Sequence, residues 1–161
     1  MMYTNIWYVA EFSDRLGDKP VQVRMLGRDF VLFRTGSGDP ACLSNVCPHR
    51  GSSLARGKYE TGTISCPFHG WQFDASGQCI RIPSQANPTR DIPPGAKIDA
   101  YPTVEKNGLI WVFLGDDPGN AIPIIDIPED DDPTWRCVAF ADVWNANQHW
   151  SKMTDLDHAH L

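Results

Sequence analysis

Two short segments constrain this chain more than anything else in it: Cys47-Pro48-His49-Arg50-Gly51 and Cys66-Pro67-Phe68-His69-Gly70-Trp71. Each presents Cys, Pro, His and Gly in that order, and sixteen residues separate His49 from Cys66. A stiff proline and a permissive glycine beside a repeated Cys/His pair describe two equivalent loops at the tips of β-hairpins, facing each other. Any fold available to the chain has to bring those two tips together.

Up to about residue 115 the rest of the sequence supplies short strands: 21–24, 29–34, 41–45, 63–65, 71–74, 78–82, 98–101 and 109–114. Turn residues separate them, at Gly36-Ser37-Gly38, Ser76-Gly77 and Asn107-Gly108, the last being the strongest hairpin signal in the chain. The stretch from Pro83 to Gly95 contains four prolines and no periodicity, so it reads as a long surface loop of the same all-β domain. Six Trp and seven Phe in 161 residues are enough to build a real core.

Asp116 to Pro133 has prolines at 118, 123, 128 and 133 and acids at 126, 129, 130, 131 and 132, the pattern of a solvated linker. Beyond it, Trp135 to Trp144 alternates like a strand, and Trp150, Met153, Leu156 and Leu161 are spaced as on one helix face. This divides the chain into a first domain at 1–115, an acidic Pro-rich linker at 116–134 and the start of a second domain at 135–161. The absence of helix stop signals at Leu161 leads us to expect a truncated fragment.

A net charge of −6 makes duplex nucleic acid or an anionic membrane a poor partner. The longest apolar run, Leu109 to Leu114, is far below the ~20 residues of a membrane span, and the N-terminus does not read as a signal peptide. Five cysteines, an odd number, fit thiols or metal ligands in a reducing compartment, so a cytoplasmic protein is expected. No phosphate-cradling glycine motif and no GxSxG are present.

Two thiolates and two imidazoles, Cys47, Cys66, His49 and His69, suit a 2Fe-2S cluster with one iron held by the cysteines and the other by the histidines. Structural zinc uses the same residue types, although its loops prefer CxxC and HxxxH spacing. Cys42, Cys79 and Cys137 read as small buried hydrophobes in strands.

The paired segments resemble the ligand signature of the Rieske proteins, and CPHRG followed by CPFHGWQFD is similar to the Rieske non-haem iron oxygenases in particular. The resemblance runs from Trp7 to about Leu114 and includes the segment Gly108-Leu-Ile-Trp-Val-Phe-Leu-Gly115. It implies an antiparallel β-sandwich with two cluster-binding hairpin loops, then the opening strand and helix of an α+β catalytic domain. It also implies that Cys47 and Cys66 bind the inner iron and His49 and His69 the outer one. Ser52 and Phe68 stand where the respiratory type has a disulfide. Trp71 and Phe73 stand where that type has hydroxyl donors, which implies a potential near the low end of about −150 to +300 mV.

The last fifteen residues are similar to the entry of the oxygenase catalytic domain, with Asp157 and His160 on its Asp-x-x-His pair. The resemblance then makes His160 a ligand of a mononuclear Fe(II), and Asp157 the bridge that carries electrons from the Rieske histidine of a neighbouring subunit. A shifted register would use Asp155 and His158, and the four could also be a polar helix end; His149 has no assigned role. The implied whole is a terminal oxygenase component, commonly a homotrimer. It would be fed by an NAD(P)H-dependent reductase or ferredoxin and would use O2 on a small organic substrate by monooxygenation, dihydroxylation or demethylation. The fragment alone would not oxygenate. A stand-alone Rieske ferredoxin and a zinc-held module are the other readings open to the sequence.

Overall fold

Strand β3 (Arg28–Arg34) is buried on both faces, and the architecture follows from that. The computed structural model describes residues 4–130, 132–138 and 140–146. Phe30 and Leu32 enter one apolar core with Val23, Met25, Ile110 and Val112. Val31 and Phe33, on the opposite face, enter another with Leu43, Leu54, Ile64 and Phe73. A strand with period-2 side chains can serve two cores only from the middle of a layered structure.

Around β3 lies a four-stranded sheet in the order β2 (Val21–Met25), β3, β4 (Pro40–Ser44), β9 (Ala100–Tyr101). A second sheet has the order β1 (Ile6–Phe12), β11 (Leu109–Leu114), β10 (Thr103–Lys106). The third, order β5 (Lys58–Glu60), β6 (Thr63–Ser65), β7 (Gln72–Phe73), β8 (Cys79–Arg81), carries the candidate site. Every pairing is antiparallel, as expected of an all-β domain.

Asn107-Gly108 forms the expected hairpin turn, both residues left-handed with φ of 54° and 69°. Leu26-Gly27 and Thr61-Gly62 adopt the same conformation, at 49° and 75° and at 40° and 82°. Neither was anticipated, because Leu and Thr seldom take positive φ; the tight register of the flanking strands imposes it. The β5 strand went unread with its turn. So did β1, whose ladder is broken by a bulge between Val9 and Glu11 and whose partner lies at the far end of the domain. Three expected strands are shorter than read because their ends bond elsewhere. The Trp71 carbonyl accepts from Cys66 N–H, Asp74 closes a turn on Ser76 and Gln78, and Ile98 N–H reaches Gly77.

The proline-rich loop belongs to the domain: Ile82 N–H donates to the Pro88 carbonyl at 2.8 Å, and Ile92 and Ala96 pack on the β3–β7 core. The segment after β11 is also tied down. Lys106 Nζ meets Asp126 at 2.9 Å, and Asn107 Nδ2 donates to the Ile125 carbonyl at 3.0 Å. One compact unit spans Met1–Ile127 and a second Pro128–Leu161.

In the second unit the expected strand at 135–144 is absent from the described residues. Phe140 and Val143 are exposed there, and no ladder partner is present among the described residues to close a strand. Cys137, expected to be buried, is exposed for the same reason. The expected helix, with Asp155, Asp157, His158 and His160, and His149 as well, lies outside the described residues. No helix among the described residues is long and apolar enough to cross a membrane.

Arg34, at the end of β3, clamps three separate segments. Its guanidinium donates to the carbonyls of Leu16 (2.9 Å), Ser13 (3.0 Å) and Gly38 (3.0 Å), and it pairs with Glu105 of β10 through two contacts. Hydrogen bonding to Arg34 holds the Glu105 carboxyl below the usual range. Arg34→Ala is expected to lower stability by about 1.5–3 kcal/mol, read as a shift in urea midpoint at unchanged m-value. Because its folded pKa is depressed, Glu105 contributes above its ordinary ~4.3 and loses that contribution as pH falls through the folded value. Glu105→Gln should therefore narrow the stability difference between pH 7 and pH 3.

Candidate metal centre

The two Cys/His loops have the same hydrogen-bonded frame. The first is closed by a bridge between Val46 and Ser53, the second by the pairing of Ser65 with Gln72, so each flanking pair encloses a six-residue tip. In the first, Cys47 N–H donates to the Ser52 carbonyl (2.9 Å) and Gly51 N–H to the Cys47 carbonyl (2.8 Å). In the second, Cys66 N–H donates to the Trp71 carbonyl (2.8 Å) and Gly70 N–H to the Cys66 carbonyl (3.0 Å). Gly51 and Gly70 occupy the same place in the frame and take left-handed φ of 72° and 70°. That geometry accounts for a glycine four residues after each cysteine. The histidines are placed differently, two residues after Cys47 but three after Cys66.

Cys47 and Cys66 are 2% and 4% exposed and belong to the apolar core with Leu54, Ile64 and Phe73. Burial pushes the Cys47 thiol up to about 11; the backbone N–H groups of His49 and Arg50 pull it down, and the neighbouring Cys66 thiol pushes it further up. Such a thiol keeps its proton until a metal displaces it. His49 and His69 are exposed on the opposite side of the loops, their ring centroids 4.5 Å apart. Partial loss of water, then the charges of His69 and Arg50, lower the His49 pKa and favour the neutral, ligating imidazole.

The four residues thus come together as two pairs, thiols inward and imidazoles outward. Among the described residues no three Cys, His, Asp or Glu side chains converge on a position for a single metal ion. A paired arrangement suits two adjacent irons of different ligation better than one tetrahedral zinc, which needs all four at one point. The backbone N–H groups of His49 and Arg50 act on the Cys47 sulfur in the direction that favours its charged, ligating form.

The Rieske [2Fe-2S] domain family model matches residues 6–102, which include both loops. The chain belongs to the Rieske family. Cys47, His49, Cys66 and His69 all lie within the matched residues. The iron-sulfur subunit TsaM1 of the toluene-4-sulfonate monooxygenase system of Comamonas testosteroni is 35% identical over 164 residues, covering 100% of this chain and 46% of that protein. The oxygenase component of dicamba O-demethylase from Stenotrophomonas maltophilia is 38% identical over 138 residues, covering 83% of this chain and 39% of that protein. A crystal structure of dicamba monooxygenase with non-heme iron and dicamba superposes with a TM-score of 0.73 at 37% identity, over 82% of this chain and 40% of that one. The chain therefore spans less than half the length of these relatives.

Sequence reasoning missed the support of this Rieske centre. Asn45, buried just before the first loop, accepts at Oδ1 from Ala55 N–H (2.8 Å) and Ser53 Oγ (3.2 Å), and its carbonyl accepts from Leu54 N–H. It ties both ends of the loop to one side chain, and an asparagine ending a strand gives no sign of that. Gly57 was missed as well: a Cβ there would lie 1.9 Å from the Ser65 carbonyl, beside Cys66. Cys42 and Cys79 are buried in strands as read, the former pushed up to about 12 by burial.

Cys47→Ser or Cys66→Ser should give colourless protein, whereas Cys79→Ala should keep the visible absorption of the cluster. Asn45→Ala should leave buried N–H groups unpaired, destabilise the holoprotein by about 1–3 kcal/mol and speed cluster loss, followed as bleaching during urea unfolding.

Proposed function

We propose that this chain is the electron-delivering part of a terminal oxygenase component. In this reading Cys47, His49, Cys66 and His69 would hold a Rieske 2Fe-2S cluster, which would supply one-electron transfer between an NAD(P)H-dependent reductase or ferredoxin and a mononuclear non-haem Fe(II) of the whole protein. The observation that carries it is the two-pair ligand arrangement at residues 47–71 in a chain whose similarity to TsaM1 extends over all of its length. A stand-alone ferredoxin would need only the matched domain at 6–102, and it leaves the similarity beyond residue 102 without a use.

Within that reading the residues have distinct tasks. Cys47 and Cys66, buried in the apolar core, would hold one iron away from water; His49 and His69, exposed, would hold the other where a partner can approach. When bound, the cluster supplies one-electron redox chemistry. Phe73, fully buried, and Trp71 offer no hydroxyl to it, so the reduced state gains fewer hydrogen bonds than in the respiratory type. His160 is assigned as a ligand of the Fe(II) and Asp157 as the link from it to a Rieske histidine across a subunit boundary, which calls for a homotrimer. The substrate class is a small organic molecule, aromatic or related, attacked by O2 through monooxygenation, dioxygenation or demethylation. A reducing cytoplasm suits its free cysteines.

The test uses the full-length protein with a reductase and NAD(P)H. The wild type should be brown, with a midpoint potential near the low end of about −150 to +300 mV, and should consume O2 with substrate. His160→Ala should abolish O2 consumption while the cluster still reduces and shows its reduced-state EPR signal. His49→Ala should remove both. Unchanged turnover in His160→Ala would remove that residue from the iron site, and a colourless wild type would overturn the Rieske assignment.

A further inference from the structure

The two ligand loops differ at one equivalent position in a way their shared frame does not require. Five residues after each cysteine comes the residue whose carbonyl accepts the cysteine N–H: Ser52 in the first loop, Trp71 in the second. The backbone does the same work in both, so the indole is not needed to close the loop. Its ring instead lies across the gap between loops, parallel to the His49 imidazole within 3° and with centroids 4.8 Å apart. The indole also packs on the core that contains both cysteines, which fixes it in place. His49 is exposed and otherwise met by the tilted ring of His69, at 57°. An exposed histidine keeps much of its rotamer freedom, and a parallel aromatic plane anchored in the core removes it.

We propose that Trp71 is a positioning residue for His49. Its indole sets the plane of the imidazole from the opposite loop, so that the first loop presents its histidine already oriented beside His69. The stack compensates for the offset of the two histidines, His49 lying one residue nearer its cysteine than His69 does. The first loop offers no ring in return, because Ser52 stands at the matching place. The proposal rests on the Rieske reading of the four ligands.

The experiment compares the 161-residue chain with Trp71→Phe and Trp71→Leu after cluster reconstitution, by EPR linewidth of the reduced state and by the rate of bleaching in a strong chelator at pH 7. Phe keeps an aromatic plane, whereas Leu keeps apolar bulk without one. The expected result is near-native EPR and bleaching for Trp71→Phe. Trp71→Leu should show broadened g-values and bleach about two- to tenfold faster, the scale of one aromatic pair. Failure of Trp71→Leu alone to take up a cluster supports the proposal in the same way. Native behaviour of Trp71→Leu, or equal impairment of both variants, overturns it by reducing Trp71 to core packing. A wild-type chain that reconstitutes no coloured cluster overturns the Rieske reading beneath it, an outcome distinct from either.

Discussion

Everything at the candidate centre depends on one hydrogen bond made twice: the N–H of Cys47 and of Cys66 to the carbonyl five residues on, at 2.9 and 2.8 Å. It folds each Cys-Pro-His segment back on itself, turns the sulfur inward and leaves the histidine on the outer side. The turn has to pass through the left-handed region at Gly51 and Gly70, where any Cβ is strained. The prolines beside the cysteines remove conformations from the unfolded loop, so less entropy is lost when the tip closes. Two loops built this way can meet with their sulfurs together only if their bases are rigid, and the two flanking strand pairings provide that rigidity.

Rigid bases in turn require the β5–β8 sheet to sit on something that does not move. The apolar core beneath it is shared with β3 and β4, whose opposite faces are occupied by the core of the β1–β11–β10 sheet. A substitution in Phe33 or Leu43 is therefore felt at the cysteines, while Phe30 and Leu32 act on them only through the central sheet. Interiors packed to this density transmit small changes in volume instead of absorbing them. Arg34 and Asn45 are the polar counterparts of this packing: each ends a run of buried strand and binds carbonyls or amides of loops that have no ladder of their own.

The loop frame around the four candidate ligands was legible in the sequence because metal chemistry admits few residue types and each loop repeats them in order. The all-β class was legible from turn residues at regular spacing. The parts that escaped are those in which tertiary context overrides local preference. Leu26 and Thr61 take left-handed φ because their strands hold them there. The two-sided burial of β3 shows in its uninterrupted run Phe30-Val-Leu-Phe33, but only the structure distributes those residues between two cores. Alternation such as that of Trp135 to Trp144 describes the side chains of a strand without supplying the partner that would make one. Trp71 was read for the hydroxyl it lacks, since nothing in a one-dimensional pattern shows a ring from one loop lying on a histidine from the other.

The inward thiols and outward imidazoles also divide the electrostatic work. A thiolate carries a full negative charge and is poorly placed in a core unless a metal neutralises it, so the Cys47 thiol, pushed up to about 11 mainly by burial, is stable in the core only as neutral thiol or as ligand. Neutral imidazoles carry no such penalty and can ligate in contact with water. The same division places the imidazole side of the centre at the surface, where Arg50 and the apolar side chains of Val46 and Phe68 are exposed beside it. Burial of the cysteines and exposure of the histidines are thus one design constraint: the loop frame that hides the sulfur is the frame that presents the imidazole.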